Sequence, residues 1–568
     1  MKYTGSKKET VRILTELLVE KGVKKVVISP GSRNAPLIIS LMRRPGLEHF
    51  VILDERSAAF FALGLSQQTG EPVALACTSG TALLNYGPAV AEAWYQRLPL
   101  VILSADRPLE WVDQDDSQTI RQNGVFSQLV KYSCQLPAEI RDEDERWYTN
   151  RLVNDALNCA LAGRPGPVHI NLPLREPLYE RQVYTGGAER SVRYIDAEVL
   201  PSGRLTASFT SCLASCHKVM ILAGFLRPDK RVEEALYRLA GRENVVVLTE
   251  SLTNAGRGGC ISTIDRVLSV LKEEEKAEYA PDLLISFGGP LISRYIKTYL
   301  RTYHPRFHWS IDSSEHPADT FRAVTTVVRL HPGDFLPELS ENWPSVRSDY
   351  SRLWKAKQEL AAERHTAYLE NVSWSDLKAF SLILPVLPAG CRLQLSNSTP
   401  VRYAQLFEYP QVGRVDGNRG TSGIDGSLST AVGASWATDT LTVLITGDMS
   451  FLYDSNALWN RYITPRFKMI VIKNGGGGIF RFIPGPSDLE ELEECFETAR
   501  DVDVEGFARL HRFSYYRAGE AGELMRVLPV FLQEDKVSAI LEVCTPRYGN
   551  DRVLKAYFNY LARPVVKE

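Results

Sequence analysis

Short apolar runs, many of them rich in β-branched residues, recur along this chain, with segments between most of them long enough for a helix. Val26–Ser29, Val73–Thr78, Leu100–Ala105 and Val168–Leu172 form a first group. Val219–Ala223, Val245–Thr249, Leu283–Phe287 and Phe307–Ile311 form a second, and Val443–Thr446, Met469–Ile472 and Ala539–Val543 a third. A strand that is apolar along its whole length has no solvent face, so it belongs in a parallel sheet covered by helices on both sides. The pattern predicts an α/β protein of three doubly wound parallel-sheet domains, 1–184, 185–345 and 370–568, with a polar linker near Thr185 to Arg193. A length of 568 residues accommodates three such domains.

Two polar interruptions in the third group carry chemistry. The run Leu441–Ile445 ends in Thr446-Gly447-Asp448-Met449-Ser450. The next strand, Phe467–Ile472, ends in Lys473-Asn474 and the glycines 475 to 478. Asp448 and Asn474 are thereby predicted at the carboxyl ends of neighbouring strands, where open α/β sheets bind ligands. A carboxylate, an amide carbonyl and a backbone carbonyl from the glycine loop, assigned to Gly476, make an all-oxygen set suited to Mg²⁺, which shares phosphate oxygens readily. Ser450 is expected to cap a helix from Phe451 to about Tyr462, whose N-terminal N–H groups would serve the same anion. Asp448 alone reads as an ordinary βαβ turn; with Asn474 and the glycine run it reads as a metal–diphosphate site. The glycines lack the spacing of a dinucleotide fingerprint.

The Gly447-Asp448 and Asn474 spacing resembles the signature of thiamine-diphosphate enzymes. Leu53-Asp54-Glu55-Arg56, the turn Thr78-Ser79-Gly80-Thr81 and the stretch Gly166–Pro173 are similar to that superfamily as well. One branch is matched more closely, the synthase family of menaquinone biosynthesis that forms 2-succinyl-5-enolpyruvyl-6-hydroxy-3-cyclohexene-1-carboxylate. The strings that carry this resemblance are Ile28–Leu37, Ala105–Pro108, Ser117–Gln122, Asn397-Ser398 with Arg402, Asn418–Gly420 and Ser422–Gly426. The likeness runs from about residue 8 to the C-terminus and is loose between 185 and 345.

The resemblance implies thiamine diphosphate held through Mg²⁺, with Mn²⁺ as a substitute, on Asp448, Asn474 and Gly476. It implies cofactor contacts from Glu55, Thr78, Ser398, Gly423, Ile424, Met449, Ser450 and Ile479. Glu55 would donate to a pyrimidine nitrogen and so promote loss of the thiazolium C2 proton from close range. Ile424 would bend the cofactor. Taken singly, Glu55 also reads as a helix-start acid and Ile424 as a core residue. The implied reaction is decarboxylation of 2-oxoglutarate and 1,4-addition of the product to isochorismate. Both are dicarboxylates, which calls for guanidinium forks. Arg402 with Ser398 is assigned to 2-oxoglutarate, and Ser32, Arg33, Arg107, Gln118 and Arg294 to isochorismate. Arg419 is a further candidate, equally able to shape its own loop, and Phe480 with Ile479 would form an apolar wall or plain core. Surface ion pairing is the bland alternative for any one arginine. Tyr295 stands where the family often has a second basic residue, and Lys297 is the nearest replacement. The alternative activity is that of another thiamine-diphosphate 2-oxoacid decarboxylase or an acetolactate synthase-like enzyme.

A net charge of -2 gives no reason to expect nucleic acid or an anionic membrane as partner. No apolar run reaches bilayer length, and scattered cysteines suit a reducing compartment, so a cytoplasmic enzyme without membrane insertion is expected. Cys212 and Cys216 read as packing residues, and Asp488 to Glu494 as a solvated helix. The resemblance implies a homodimer or homotetramer with composite sites.

Overall fold

The computed structural model describes residues 2–185, 189–194, 203–256, 258–314, 317–483 and 485–563. Residues 186–188 of the expected linker and 564–568 of the expected third domain lie outside the described residues.

The predicted α/β class is present as three parallel sheets. The first runs in the order Glu48–Val51, Lys25–Ile28, Val73–Cys77, Leu100–Asp106, Val168–Pro173 and Tyr132–Gln135, all parallel. The second runs Val245–Thr249, Val219–Ala223, Leu283–Phe287, Phe307–Ile311 and Thr326–Val328, again all parallel. The third runs Arg414–Asp416, Arg392–Leu395, Thr442–Gly447, Phe467–Lys473, Ala539–Cys544 and Ser514–Ala518. A short antiparallel ribbon joins Tyr3–Ser6 to Arg181–Tyr184. Strands such as Val73–Cys77 and Val219–Ala223 are buried at every position, which is why their sequences show no polar alternation.

The chain divides into two compact units. Unit 1 is 1–197, 418–442 and 450–467; unit 2 is 198–417, 443–449 and 468–568. Unit 1 holds the first sheet, and unit 2 holds the second and most of the third.

Within unit 1 the helix Glu55–Thr69 crosses the helix Ser427–Trp436 at backbone contact. A Cβ on Gly64 would lie 2.0 Å from the Thr430 carbonyl oxygen, and one on Gly433 would lie 2.1 Å from that of Phe61. Neither backbone can step aside as a flexible side chain would. The first helix is capped by Asp54, whose carboxylate accepts the Ser57 N–H at 2.8 Å. Its start is fastened further, because Asn456 donates to Asp54 and Arg56 donates to the Tyr453 carbonyl at 2.8 Å.

Two expectations are corrected. The helix after the third-sheet strand is not Phe451 to Tyr462 with Ser450 as cap. It spans Asp448–Tyr453 and is followed by a single tight turn, Ser455–Trp459. Asp448 is its first residue and accepts the Met449 N–H at 2.8 Å. The helix stops because the buried Asp454 turns to accept both the N–H and the hydroxyl of Ser429, at 2.7 and 2.8 Å. The acidic stretch Asp488 to Glu494 is largely solvated, as expected, but is not one continuous helix. It crosses a tight turn, Pro486–Asp488, and the start of a wide one, Leu492–Glu497. Glu493 is clamped by Arg481, Arg547 and Tyr548 at 3.0, 3.2 and 3.2 Å.

Gly64→Ala tests the crossing. On an open helix face this change stabilises by about 1 kcal/mol. Overpacking against the Thr430 carbonyl is expected to dominate and to lower stability by about 1–3 kcal/mol in urea unfolding. An unchanged or raised midpoint would contradict the close approach.

Candidate functional site

Unit 2 brings Asp448 and Asn474 to the carboxyl ends of adjacent strands of the third sheet. Asp448 is buried, and its second oxygen accepts the Gly475 N–H at 2.8 Å. Burial lifts its carboxyl to about 6, with the nearby Asp376 adding to the rise and the backbone N–H groups opposing it. Asn474 donates its amide nitrogen to Asp376 at 2.9 Å. Asp376 also accepts from Thr545 at 2.6 Å, and its own N–H donates to Asn550 at 2.8 Å. Committing the nitrogen to Asp376 leaves Oδ1 of Asn474 as the atom available to a cation. Asp376 carried no signal in the sequence, because it lies on a helix remote from both motifs.

The glycines follow from the turn. Gly475 has φ +83° and Gly476 φ +146°, and a Cβ on Gly476 would meet the Glu497 carbonyl oxygen at 2.8 Å. Lys473 turns to Glu542 and Asp501, at 3.1 and 2.8 Å. Met449 and Ser450 form the first turn of the helix that begins at Asp448. Ile479 and Phe480 are half-buried, Phe480 against Phe496. This is an oxygen donor set with an adjoining helix start, and it fits a hard dication with a diphosphate.

A second cluster in unit 2 links Arg402 and Arg294. Arg402 donates to the carbonyl of Ser398, a residue held at φ +73°. It is also the cation that offsets the buried Asp265, whose carboxyl burial lifts to about 6. Asp265 accepts the hydroxyl of Ser293, the cap of the helix that starts at Arg294. Glu250 accepts the N–H groups of Ile292 and Ser293, both at 2.7 Å, and burial lifts its carboxyl to about 7. Arg294 is exposed. Lys297 donates to the Leu291 carbonyl at 2.7 Å, and Tyr295 packs edge-on against Phe558.

Unit 1 collects the remaining candidates. Glu55 opens its helix and is half-buried, and burial raises its carboxyl pKa, with Asp54 adding to the rise. The loop Ser422–Gly426 lies on that helix, since a Cβ on Gly426 would enter the Phe60 ring at 2.3 Å. Ile424 in this loop is 40% exposed, so it is not a core residue, and Gly423 beside it is half-buried. Arg33 is buried and donates to the Leu174 carbonyl at 2.9 Å. Burial first, and the neighbouring Arg107 guanidinium second, pull its pKa down. Arg107 faces Asp116 at 3.2 Å. Gly31, just before the exposed Ser32, lies flush on Thr78, where a Cβ would come within 2.4 Å. Thr78 and Ser79 carry buried hydroxyls with no hydrogen-bond partner among the described residues. Gly80, at φ +88°, packs on the backbone of Gln118, itself at φ +56°. Gln122 holds this corner, accepting the Gly80 N–H at 2.8 Å and donating to Asn171 at 2.9 Å. Arg419 is buried in the loop leading to Ile424.

A sequence model described as "Thiamine pyrophosphate enzyme, N-terminal TPP binding domain" matches residues 8–125. Among curated relatives, a 2-succinyl-5-enolpyruvyl-6-hydroxy-3-cyclohexene-1-carboxylate synthase of Porphyromonas gingivalis is 46% identical over 98% of this chain and 98% of its own length. Proteins of the same name from Flavobacterium psychrophilum and Bacteroides thetaiotaomicron are 42% and 38% identical, over 96% and 98% of this chain and 98% and 99% of their own lengths.

Asp376→Ala would free the Asn474 amide to rotate. Loss of such an outer partner is expected to weaken Mg²⁺-dependent diphosphate binding by about 10–100-fold with the fold retained. Titration calorimetry that finds wild-type affinity would reject Asp376 as the residue that orients Asn474.

Proposed function

The chain belongs to the 2-succinyl-5-enolpyruvyl-6-hydroxy-3-cyclohexene-1-carboxylate synthase family, and from that premise we propose that it decarboxylates 2-oxoglutarate and adds the succinyl unit to the alkene of isochorismate in a 1,4-addition. The observation that carries this reading is the near full-length identity to synthases of that name, together with the Asp448 and Asn474 pair oriented by Asp376. Three domains, 1–184, 185–345 and 370–568, remain the proposed division.

Asp448, Asn474 and the Gly476 carbonyl would hold Mg²⁺, or Mn²⁺ in its place, and a dication there would offset two buried carboxylates at once. The helix start at Met449 and Ser450 would meet the diphosphate with backbone N–H groups. Thiamine diphosphate, when bound, supplies the electron sink for decarboxylation. Glu55 needs a proton to donate to the cofactor ring, and its raised pKa favours the protonated acid. Ile424 offers an exposed apolar side chain on the neighbouring loop, where the bent cofactor would rest. Thr78, Ser398, Gly423 and Ile479 are the further cofactor contacts.

Arg402, with Ser398, would take the distal carboxylate of 2-oxoglutarate. Arg33 and Arg107 are neighbours that now face Glu176 and Asp116, each at 3.2 Å, and a dicarboxylate would compete with those acids for the two guanidiniums. They would bind isochorismate with Ser32, Gln118 and Arg294, and Arg419 and Phe480 would complete the substrate contacts. Lys297 is committed to Leu291, so Arg294 would act without a second cation from Tyr295.

No helix among the described residues is long and apolar enough to cross a membrane, and all nine cysteines are free, which fits a cytoplasmic enzyme. We infer a homodimer, or a homotetramer of such pairs, in which one subunit supplies Glu55 and another supplies Asp448.

The reading is tested by following 2-oxoglutarate with purified protein. Consumption should require isochorismate, thiamine diphosphate and Mg²⁺ together. Turnover of pyruvate in place of 2-oxoglutarate would point instead to an ordinary 2-oxoacid decarboxylase. Subunit sharing is tested by mixing Glu55→Gln chains with Asp448→Ala chains, each inactive alone. Partial recovery of activity is expected, and none would reject composite sites.

A further inference from the structure

Glu92 lies on the helix Gly87–Gln96, is only 1% exposed, and is used by none of the roles above. Its carboxylate is saturated by four donors. Oε1 accepts the Gly420 N–H at 2.7 Å and the amide of Gln96. Oε2 accepts the Thr421 N–H at 2.7 Å and the Thr421 hydroxyl at 2.6 Å. A charged acceptor on successive backbone N–H groups fixes both the position and the direction of a loop.

The loop so held runs from Asn418 to Gly426. It carries Arg419, passes through Ser422 at φ +66°, and presents Ile424. It also lies flush on the Glu92 helix, because a Cβ on Gly420 would come 2.8 Å from the Glu92 carbonyl oxygen and 2.9 Å from Cβ of Tyr95. On the other side, Gln96 accepts from Gln67 at 3.0 Å, and Gln67 belongs to the helix that Glu55 begins. A continuous set of hydrogen bonds therefore joins the Glu55 helix to the loop of Ile424.

We propose that Glu92 is a positioning residue that fixes Ile424 and Arg419 through the backbone of their loop, so that the apolar prop meets the cofactor in one fixed geometry. This rests on the reading of Ile424 given above. Glu92 touches neither cofactor nor substrate; it acts through the 418–424 backbone. Glu92→Gln keeps the shape but replaces one accepting oxygen with an N–H₂ group that faces a backbone N–H. Thr421→Val removes only the hydroxyl donor and serves if the first variant does not fold.

Two measurements on the full-length enzyme decide the matter. Amide hydrogen exchange without cofactor should show the 418–424 segment losing protection by roughly 10–100-fold in Glu92→Gln, less in Thr421→Val, with the sheets unaffected. Deuteration of C2 of added thiamine diphosphate, followed by NMR at saturating Mg²⁺, should slow about tenfold or more while cofactor affinity stays near wild type. Wild-type loop protection and wild-type C2 exchange in a folded variant would overturn the inference alone. A wild-type enzyme that leaves C2 unexchanged would overturn the cofactor reading, and this inference with it.

Discussion

Adjacent parallel strands end side by side, and the rest of this site depends on that constraint. Asp448 and Asn474 are far apart along the chain, yet the third sheet places their strands next to one another with both carboxyl ends on one edge. The orientation of each side chain is then decided by other groups. Gly475 and Met449 hold the Asp448 carboxylate through backbone N–H groups, and Asp376 holds the Asn474 amide by its nitrogen. The result is two oxygens offered to a common ligand beside a helix start. The elevated pKa of Asp448 expresses the same fact energetically, because a buried carboxylate beside a second one is stable only when something positive shares the space.

Buried carboxylates recur as anchors for loops throughout both units. Glu250 fixes Ile292 and Ser293 ahead of Arg294, Asp454 fixes Ser429, and Glu92 fixes Gly420 and Thr421. Burying an ionised acid is costly, and for Glu250 and Asp454 the cost appears as a carboxyl near 7. Backbone N–H donors offset part of it. What is gained is a loop fixed to the rigid part of the fold, which a residue meant to grip a substrate needs.

Much of this fold was legible in sequence, for a physical reason. Strands such as Val219–Ala223 and Val168–Pro173 are covered on both faces, so they are written in apolar residues alone. Strands that are shorter or partly polar are not announced in this way, among them Arg392–Leu395, Arg414–Asp416, Glu48–Val51 and Ser514–Ala518. The helix after Asp448 was drawn too long because Asp454 stops it through a hydrogen bond to Ser429, a partner invisible in local sequence. The placement of Glu55, Asp448 and Asn474 at element ends and of Ile424 on an exposed loop was readable from their motifs. Asp376, Glu92, Glu250 and Asp265 were not. Each sits outside the site motifs and acts by reaching a distant backbone or side chain, so nothing in its own neighbourhood announces the task.

A dication held by Asp448 and Asn474 is proposed to anchor thiamine diphosphate. Titration calorimetry of the dialysed protein with thiamine diphosphate, at saturating Mg²⁺ and again with the metal chelated, measures it directly. Saturable binding that needs the metal and is lost in Asp448→Ala is expected. Absence of binding with Mg²⁺ present, or binding indifferent both to chelation and to the loss of Asp448, would contradict it.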